Sequence, residues 1–185
     1  FYAPVSFLIS GTDIRRRDLT QEVRIASDRK DWPVNFTVGA FYQDTKFSNA
    51  TPVVADQFAT AGAPLGTPAP FFFAENYVDT ESYSFFGQAI WTITDRLELA
   101  GGARWSHETK DLTVFNGRGY GGGQFFPGVD KVTFTDTSPE VTLSWRPSSE
   151  LMVFGAFRNG FKSGGFNTSG NTATLGPAQS YRPED

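Results

Sequence analysis

Cysteine is absent from the 185 residues, so neither a disulfide framework nor a thiolate metal site can form. His107 is the sole histidine, and without a second His or a Cys it makes a poor metal or catalytic residue. No nucleophile–base arrangement is legible, so no enzyme, no cofactor and no metal is expected. No run of about 18 apolar residues occurs, which excludes a membrane-spanning helix. It does not exclude spanning strands, whose alternating pattern averages out in hydropathy. A net charge of −4 and a pI near 5.0 leave no global basic surface for nucleic acid. An initiator Met and a signal-peptide pattern are also missing at Phe1, and the chain stops at Asp185 inside what reads as a connection. Both ends read as cut, and the chain is expected to be an internal piece of a longer protein.

What is present is aromatic. Phe, Trp and Tyr make up 16% of the chain, with 19 Phe and 4 Trp, against a hydrophobic total of only 39%. That balance suits a surface that must be apolar and also anchored at an interface. Period-two alternation dominates and helical periodicity is weak. Strands are expected over 19–26, 34–47, 82–94, 97–112, 131–146 and 151–161, with a weaker one over 4–10. The cleanest alternation sets Leu99, Gly101, Ala103 and Trp105 against Glu98, Arg104, Ser106, Glu108 and Lys110. In 131–146 the phase shifts: Val132 and Phe134 are even-numbered, Val141, Leu143 and Trp145 odd. A one-residue bulge at Pro139, which lacks an N–H, would restore one face.

The connections alternate short and long. Turns of a few residues near 27–32, 95 and 146–150 contrast with stretches of about 48–79, 113–130 and 162–185 that carry no convincing strand. Outer-membrane barrels have this asymmetry, with short turns at the periplasmic end and long loops at the extracellular end. Trp32, Trp91 and Trp145 each lie by a short turn, whereas Trp105 stands eight residues above Leu97. At roughly 3.3 Å per residue and about 45° tilt, that is roughly 19 Å higher. Two aromatic belts at that spacing are what a bilayer selects. The expected fold is therefore all-β: an antiparallel transmembrane β-barrel fragment, with residues 1–185 forming part of the barrel domain.

Four segments, in order, resemble the barrel of TonB-dependent outer-membrane receptors. They are Thr20-Gln21-Glu22-Val23-Arg24-Ile25; the hairpin from Phe86-Gly87-Gln88 through Thr94-Asp95 to Leu99-Ala100-Gly101-Gly102-Ala103-Arg104-Trp105; Ser138-Pro139-Glu140-Val141; and Gly160-Phe161-Lys162-Ser163-Gly164-Gly165-Phe166-Asn167 with the later Tyr181-x-Pro183-Glu184. The resemblance implies about six to seven strands of a 22-stranded barrel in the outer membrane of a Gram-negative bacterium. It implies a plug domain inside the barrel, absent from this sequence together with the C-terminal strands. It implies active uptake of a scarce nutrient, often a ferric siderophore, driven by an inner-membrane energy-transducing complex. Two alternatives remain: a passive porin and a soluble β-sandwich binding module.

Candidate site residues fall into two sets. Glu22, Arg24, Glu98, Arg104, Glu108 and Lys110 are expected to face the lumen and plug, with Arg104 the foremost plug contact because guanidinium suits multidentate pairing. Arg15, Arg16, Arg17, Arg158 and Lys162 are expected at the extracellular rim, facing an anionic ligand or the phosphates of lipopolysaccharide. For each set the competing expectation is a solvated charge. Gly117 to Gly122 matches G-x-G-x-x-G, but Phe125-Phe126-Pro127 follows where a dinucleotide site needs a helix, so a loop is expected. Asp136 and Glu140 lack the cleft separation that a glycosidase pair would require.

Overall fold

The computed structural model describes residues 8–55, 69–118, 126–167 and 180–184. The elements are β1 (Leu8–Ser10), β2 (Asp13–Ala26), β3 (Val34–Ala55), β4 (Ala69–Thr94), β5 (Leu97–Arg118), β6 (Phe126–Trp145), β7 (Val153–Arg158), β8 (Gly165–Phe166) and β9 (Ser180–Tyr181). Among the described residues there is no helix. The first seven strands form one antiparallel meander in which β1 and β2 share one edge of β3 and the rest follow in order to β7. Strands β1 and β2 hold the same register on β3, from Ser10↔Val53 to Asp13↔Ala50. The gap between them falls beside Pro52, which has no N–H to donate to the ladder.

The sheet has one apolar and one polar face. Cross-strand partners share a face, so the register stacks Val38, Gly87, Ala103 and Pro139 in one row and Phe36, Ala89, Gly101 and Val141 in the next. This apolar face is unburied: Val23 is 70% exposed, Phe85 58% and Phe157 64%. Only Ala74, Leu112, Val114 and Phe166 are buried hydrophobics among the described residues, and none of them belongs to that face. In water such a sheet would lose about 25 cal/mol for each Å² of apolar surface left exposed. The pattern makes sense when the apolar face meets lipid and the polar face lines an interior.

The strands run well beyond the expected limits. β3 has 22 residues, β4 26, β5 22 and β6 20, so much of the expected loops 48–79 and 113–130 is paired strand. The physical reason is that alternation needs two different solvents. Beyond the apolar band both faces meet water, the pattern fades, and only backbone pairing continues. β7 is shorter than expected, and Pro139 explains why. Asn159 N donates to Pro139 O at 3.0 Å, so the proline's N side faces β7. In an antiparallel hydrogen-bonded pair both residues exchange N–H···O bonds; Pro139 cannot return one, and the ladder ends at Glu140↔Arg158. Toward β5 the proline sits opposite Ala103 in unbroken register.

The expected bulge at Pro139 is thus not formed. Val132 and Phe134 keep their even phase and lie on the polar face, where Val132 joins Leu112, Val114, Val78 and Phe166 in a small apolar cluster. That cluster receives Phe166, from a stretch that was expected to carry no strand and of which residues 162–167 and 180–184 are described. Its short pair β8–β9 aligns Gly165 with Tyr181 and Phe166 with Ser180, and Lys162 bridges Glu184 with backbone bonds of 2.9 and 3.0 Å. Residues 1–7, including four of the seven residues of the expected 4–10 strand, and Gly119 to Gly122 of the glycine-rich run lie outside the described residues.

Candidate functional site: the polar face and its strap

The polar face carries two built regions. The first lies across β2–β6 at mid-strand. Arg24 Nε donates to Glu22 Oε1 at 2.8 Å, and its guanidinium stands 6.0 Å from the Phe86 ring. Arg104 lies 6.0 Å from the same ring and 5.5 Å from Phe41, with a weak 3.4 Å bond to Ser106 Oγ. No carboxylate lies within ion-pair distance of Arg104 among the described residues. The two arginines therefore share one aromatic ring, a placement worth about 0.5–1 kcal/mol per exposed contact. Phe86 fits there because Gly39, in register with it, has no side chain: a Cβ at Gly39 would land on that ring and 2.8 Å from Val23 O. Phe86 breaks the alternation of β4, and that break was the sequence signal for this platform.

Glu140 accepts from Gln88 Nε2 at 3.1 Å and pairs with Arg158 Nε at 3.6 Å. These residues complete a recess lined by Arg24, Phe86, Gln88, Arg104, Glu140 and Arg158. Arg158 stands five residues along β7 from Val153, at the end of the β6–β7 ladder. Glu98 is half-buried between Thr92 and Ser144 and joins neither region.

The second region is a strap. Lys110 Nζ donates to Ser163 Oγ at 3.0 Å and to Gly164 O at 2.6 Å, pairs with Glu108 at 2.9 Å, and stands 5.8 Å from the Phe134 ring. Both ionic side chains are mostly covered, at 17% and 23% exposed. Phe166 inserts beside Leu112 and Val114. A Cβ at Gly164 would strike Tyr181 O and come within 2.7 Å of Phe134; one at Gly165 would lie 2.6 Å from the Tyr181 hydroxyl. Gly164 is required by close approach of a second backbone, and Gly165 by the Tyr181 side chain lying over it. The sequence reading missed Ser163, Phe134 and Tyr181 as partners of Lys110 and the glycines because they are distant in the chain.

The arginine run divides between faces. Arg16 lies on the polar face and holds Asp18 at 2.8 Å, while Asp18 also accepts from the buried Thr45 hydroxyl at 2.6 Å. Arg15 and Arg17 alternate to the other face, Arg15 paired with Asp13 at 2.9 Å. Lys162 pairs with Glu184 at 3.1 Å as part of the strap. His107 lies on the apolar side in a ring stack with Tyr83 and Trp105, bonded to Thr135 at 3.0 Å.

A family model described as "TonB dependent receptor-like, beta-barrel" matches residues 3–185. No curated protein matches. Among solved structures, the ferric yersiniabactin uptake receptor FyuA from Yersinia pestis superposes with a TM-score of 0.76 at 21% identity, over 95% of this chain and 25% of that one. At that identity the likeness speaks to the fold, and the chain spans about a quarter of that receptor's length.

Proposed function

Because this chain belongs to the TonB-dependent receptor-like β-barrel family, we propose that it is a wall segment of an outer-membrane receptor for energised uptake of a scarce nutrient. A ferric siderophore or similar chelate is the proposed cargo. A plug fills the complete barrel, and an inner-membrane energy-transducing complex drives its displacement. The observation that carries this reading is the pairing of an unburied apolar face with a polar face rich in charged and aromatic groups. An outward face for lipid and an inward face for a polar filler have opposite needs, and the two faces meet them. The short turns at 27–33, 95–96 and 146–152 then lie at the periplasmic end, and the strand tops and strap at the extracellular end.

Arg104 favours a plugged receptor over an open porin. Among the described residues its guanidinium has aromatic neighbours but no ion-paired carboxylate, and it offers multidentate donors to an acidic group on whatever occupies the interior.

Uptake by cells carrying the complete receptor distinguishes the two. In iron-starved cells, deletion of the receptor gene should abolish accumulation of at least one ferric chelate in a panel. An uncoupler that collapses the proton-motive force should abolish the same uptake. Accumulation that persists at full rate under the uncoupler would replace the receptor reading with a porin. Recovery of the full-length protein in the periplasmic supernatant without detergent would remove both.

A further inference from the structure

Above Pro139 the edge of β6 that faces β7 is open. Asn159 N donates to Pro139 O, so Pro139 and every second residue above it turn N–H and C=O to that side. Those residues are Thr137, Thr135, Thr133 and Lys131, and no backbone group of the described residues meets them. Thr137 and Thr135 lie eight and ten residues from Trp145. At about 3.3 Å per residue and about 45° tilt, they stand roughly 19 Å and 23 Å above the turn end. The apolar band of such barrels is about 25 Å tall, and unpaired backbone at that depth is costly.

The chain that leaves β7 fits this edge. Carrying the β6–β7 register upward from Glu140↔Arg158 sets Phe161 opposite Thr137, Lys162 opposite Asp136 and Ser163 opposite Thr135. Gly164 then meets Phe134, Gly165 meets Thr133 and Phe166 meets Val132. The matches are chemical as well as positional. Asp136 accepts from the Ser138 hydroxyl and forms no ion pair among the described residues, and Lys162 would stand across from it on the polar face. Phe166 would stay beside Val132, which already belongs to its cluster. Phe134 would cover the bare backbone of Gly164, as aromatic side chains do opposite strand glycines. A Cβ at Gly160 meets nothing within 4 Å, and that glycine leaves the backbone free to pass the proline ring.

We propose that residues 160–166 have two seats: the inner strap, and a wall seat in which they extend β7 along β6. Only one can be filled at a time. In the strap, Ser163 Oγ and Gly164 O accept from Lys110 and the upper β6 edge is open. In the wall seat Ser163 turns to the outward face with Thr135, the edge is sealed, and Lys110 faces the interior with two bonds vacated. The glycines keep the seats comparable: Gly164 and Gly165 admit Tyr181 in the strap, and each weakens a strand. An acceptor group that reaches Lys110 from the interior competes with Ser163 and Gly164 and drives the segment into the wall. The proposal rests on the barrel reading of the fold and on no cargo.

Hydrogen exchange and cysteine cross-linking on the complete receptor in phosphatidylcholine nanodiscs test it. In wild type the Thr133 and Thr135 amides should exchange faster than those of Phe134 and Asp136, which face β5. Gly164→Val blocks the strap seat and suits a strand, so it should slow Thr133 and Thr135 about tenfold. Lys110→Met loosens the strap without touching the segment and should slow them severalfold; it carries the test should the valine prevent folding. The 185 residues hold no cysteine, so Thr135→Cys/Ser163→Cys reports the wall seat directly. Mild oxidation should join that pair in part, and nearly completely when Gly164→Val is added, with the bridge located by peptide mass mapping. Thr135→Cys/Lys162→Cys, one residue out of phase and on opposite faces, should stay unjoined. A heat-modifiable gel shift and energised uptake report separately on folding and on the receptor reading. Thr133 and Thr135 amides unchanged in both strap variants, or no bridge between positions 135 and 163 in either background, overturns the proposal.

Discussion

Replacing Ala103 with arginine should cost the barrel about 2–4 kcal/mol of folding free energy in a bilayer, the cost of a lipid-facing cation near the midplane. Ala103 lies on the apolar face, in one row with Gly87 and Pro139, six residues above Leu97. Six residues at about 3.3 Å and about 45° tilt put it roughly 14 Å above the turn end, close to the middle of the band. No acidic side chain shares its row, and the long side chain must reach for water through the hydrocarbon. Ala103→Leu, which adds bulk but no charge, should change stability by under about 1 kcal/mol. Gln88→Arg places the same charge one row away on the other face, beside Glu140, and should also be mild. Urea titrations of the full-length receptor folded into phospholipid vesicles read all three. Equal costs for Ala103→Arg and Gln88→Arg would mean that the faces have been assigned wrongly, since a one-residue slip in register exchanges them.

How legible a strand is in the sequence depends on the solvent on each side of it. From Leu97 to Trp105 lipid and lumen impose opposite demands, and the alternation there could be read directly. Above Lys110 both sides are wet, so Thr113 to Arg118 and Ser48 to Ala55 looked like loop although they are paired strand. Val132 and Phe134 misled for a related reason. An even-phase apolar pair in a strand with odd-phase Val141 and Leu143 suggests a bulge unless something inside the barrel accepts it. The acceptor is Phe166 with Lys110 and Gly164, residues whose involvement no local pattern announces. Phe86 was legible as an exception but not as a platform, because its two guanidinium partners come from β2 and β5. The family motif ending in Phe166-Asn167 was legible as a motif; its inward fold depends on Tyr181 and Glu184 and was not.

Gly164→Val should release the strap while leaving the barrel wall folded. The strap is held by burial of Phe166, worth about 2–3 kcal/mol, and by the Lys110 ammonium, whose bonds to Ser163 Oγ and Gly164 O belong to the class worth about 1.5–3 kcal/mol each. The exposed Lys162–Glu184 pair adds about 0–1 kcal/mol. Against this, a β-branched side chain at Gly164 collides with Tyr181 backbone oxygen and the Phe134 ring. The ring can rotate, but the oxygen belongs to β9 and moves only if β8 and β9 separate. Separation draws Phe166 from its cluster and takes Gly164 O away from Lys110, so the losses come together. A shift of about 3 kcal/mol in the docked-to-open balance is a factor of about 100 at 1.4 kcal/mol per tenfold. Hydrogen exchange on the full-length receptor in nanodiscs should therefore show the Lys162 and Glu184 amides, which bond each other's carbonyls, exchanging about 100-fold faster. The β4–β5 amides should keep wild-type protection. Lys110→Met should produce the same pattern more weakly, since it removes the ionic bonds without a collision. Gly160→Ala, whose new Cβ meets nothing within 4 Å, should be silent. Wild-type protection at Lys162 and Glu184 in Gly164→Val would mean that β9 is not held against β8, and the strap would have to be redrawn as an independent loop.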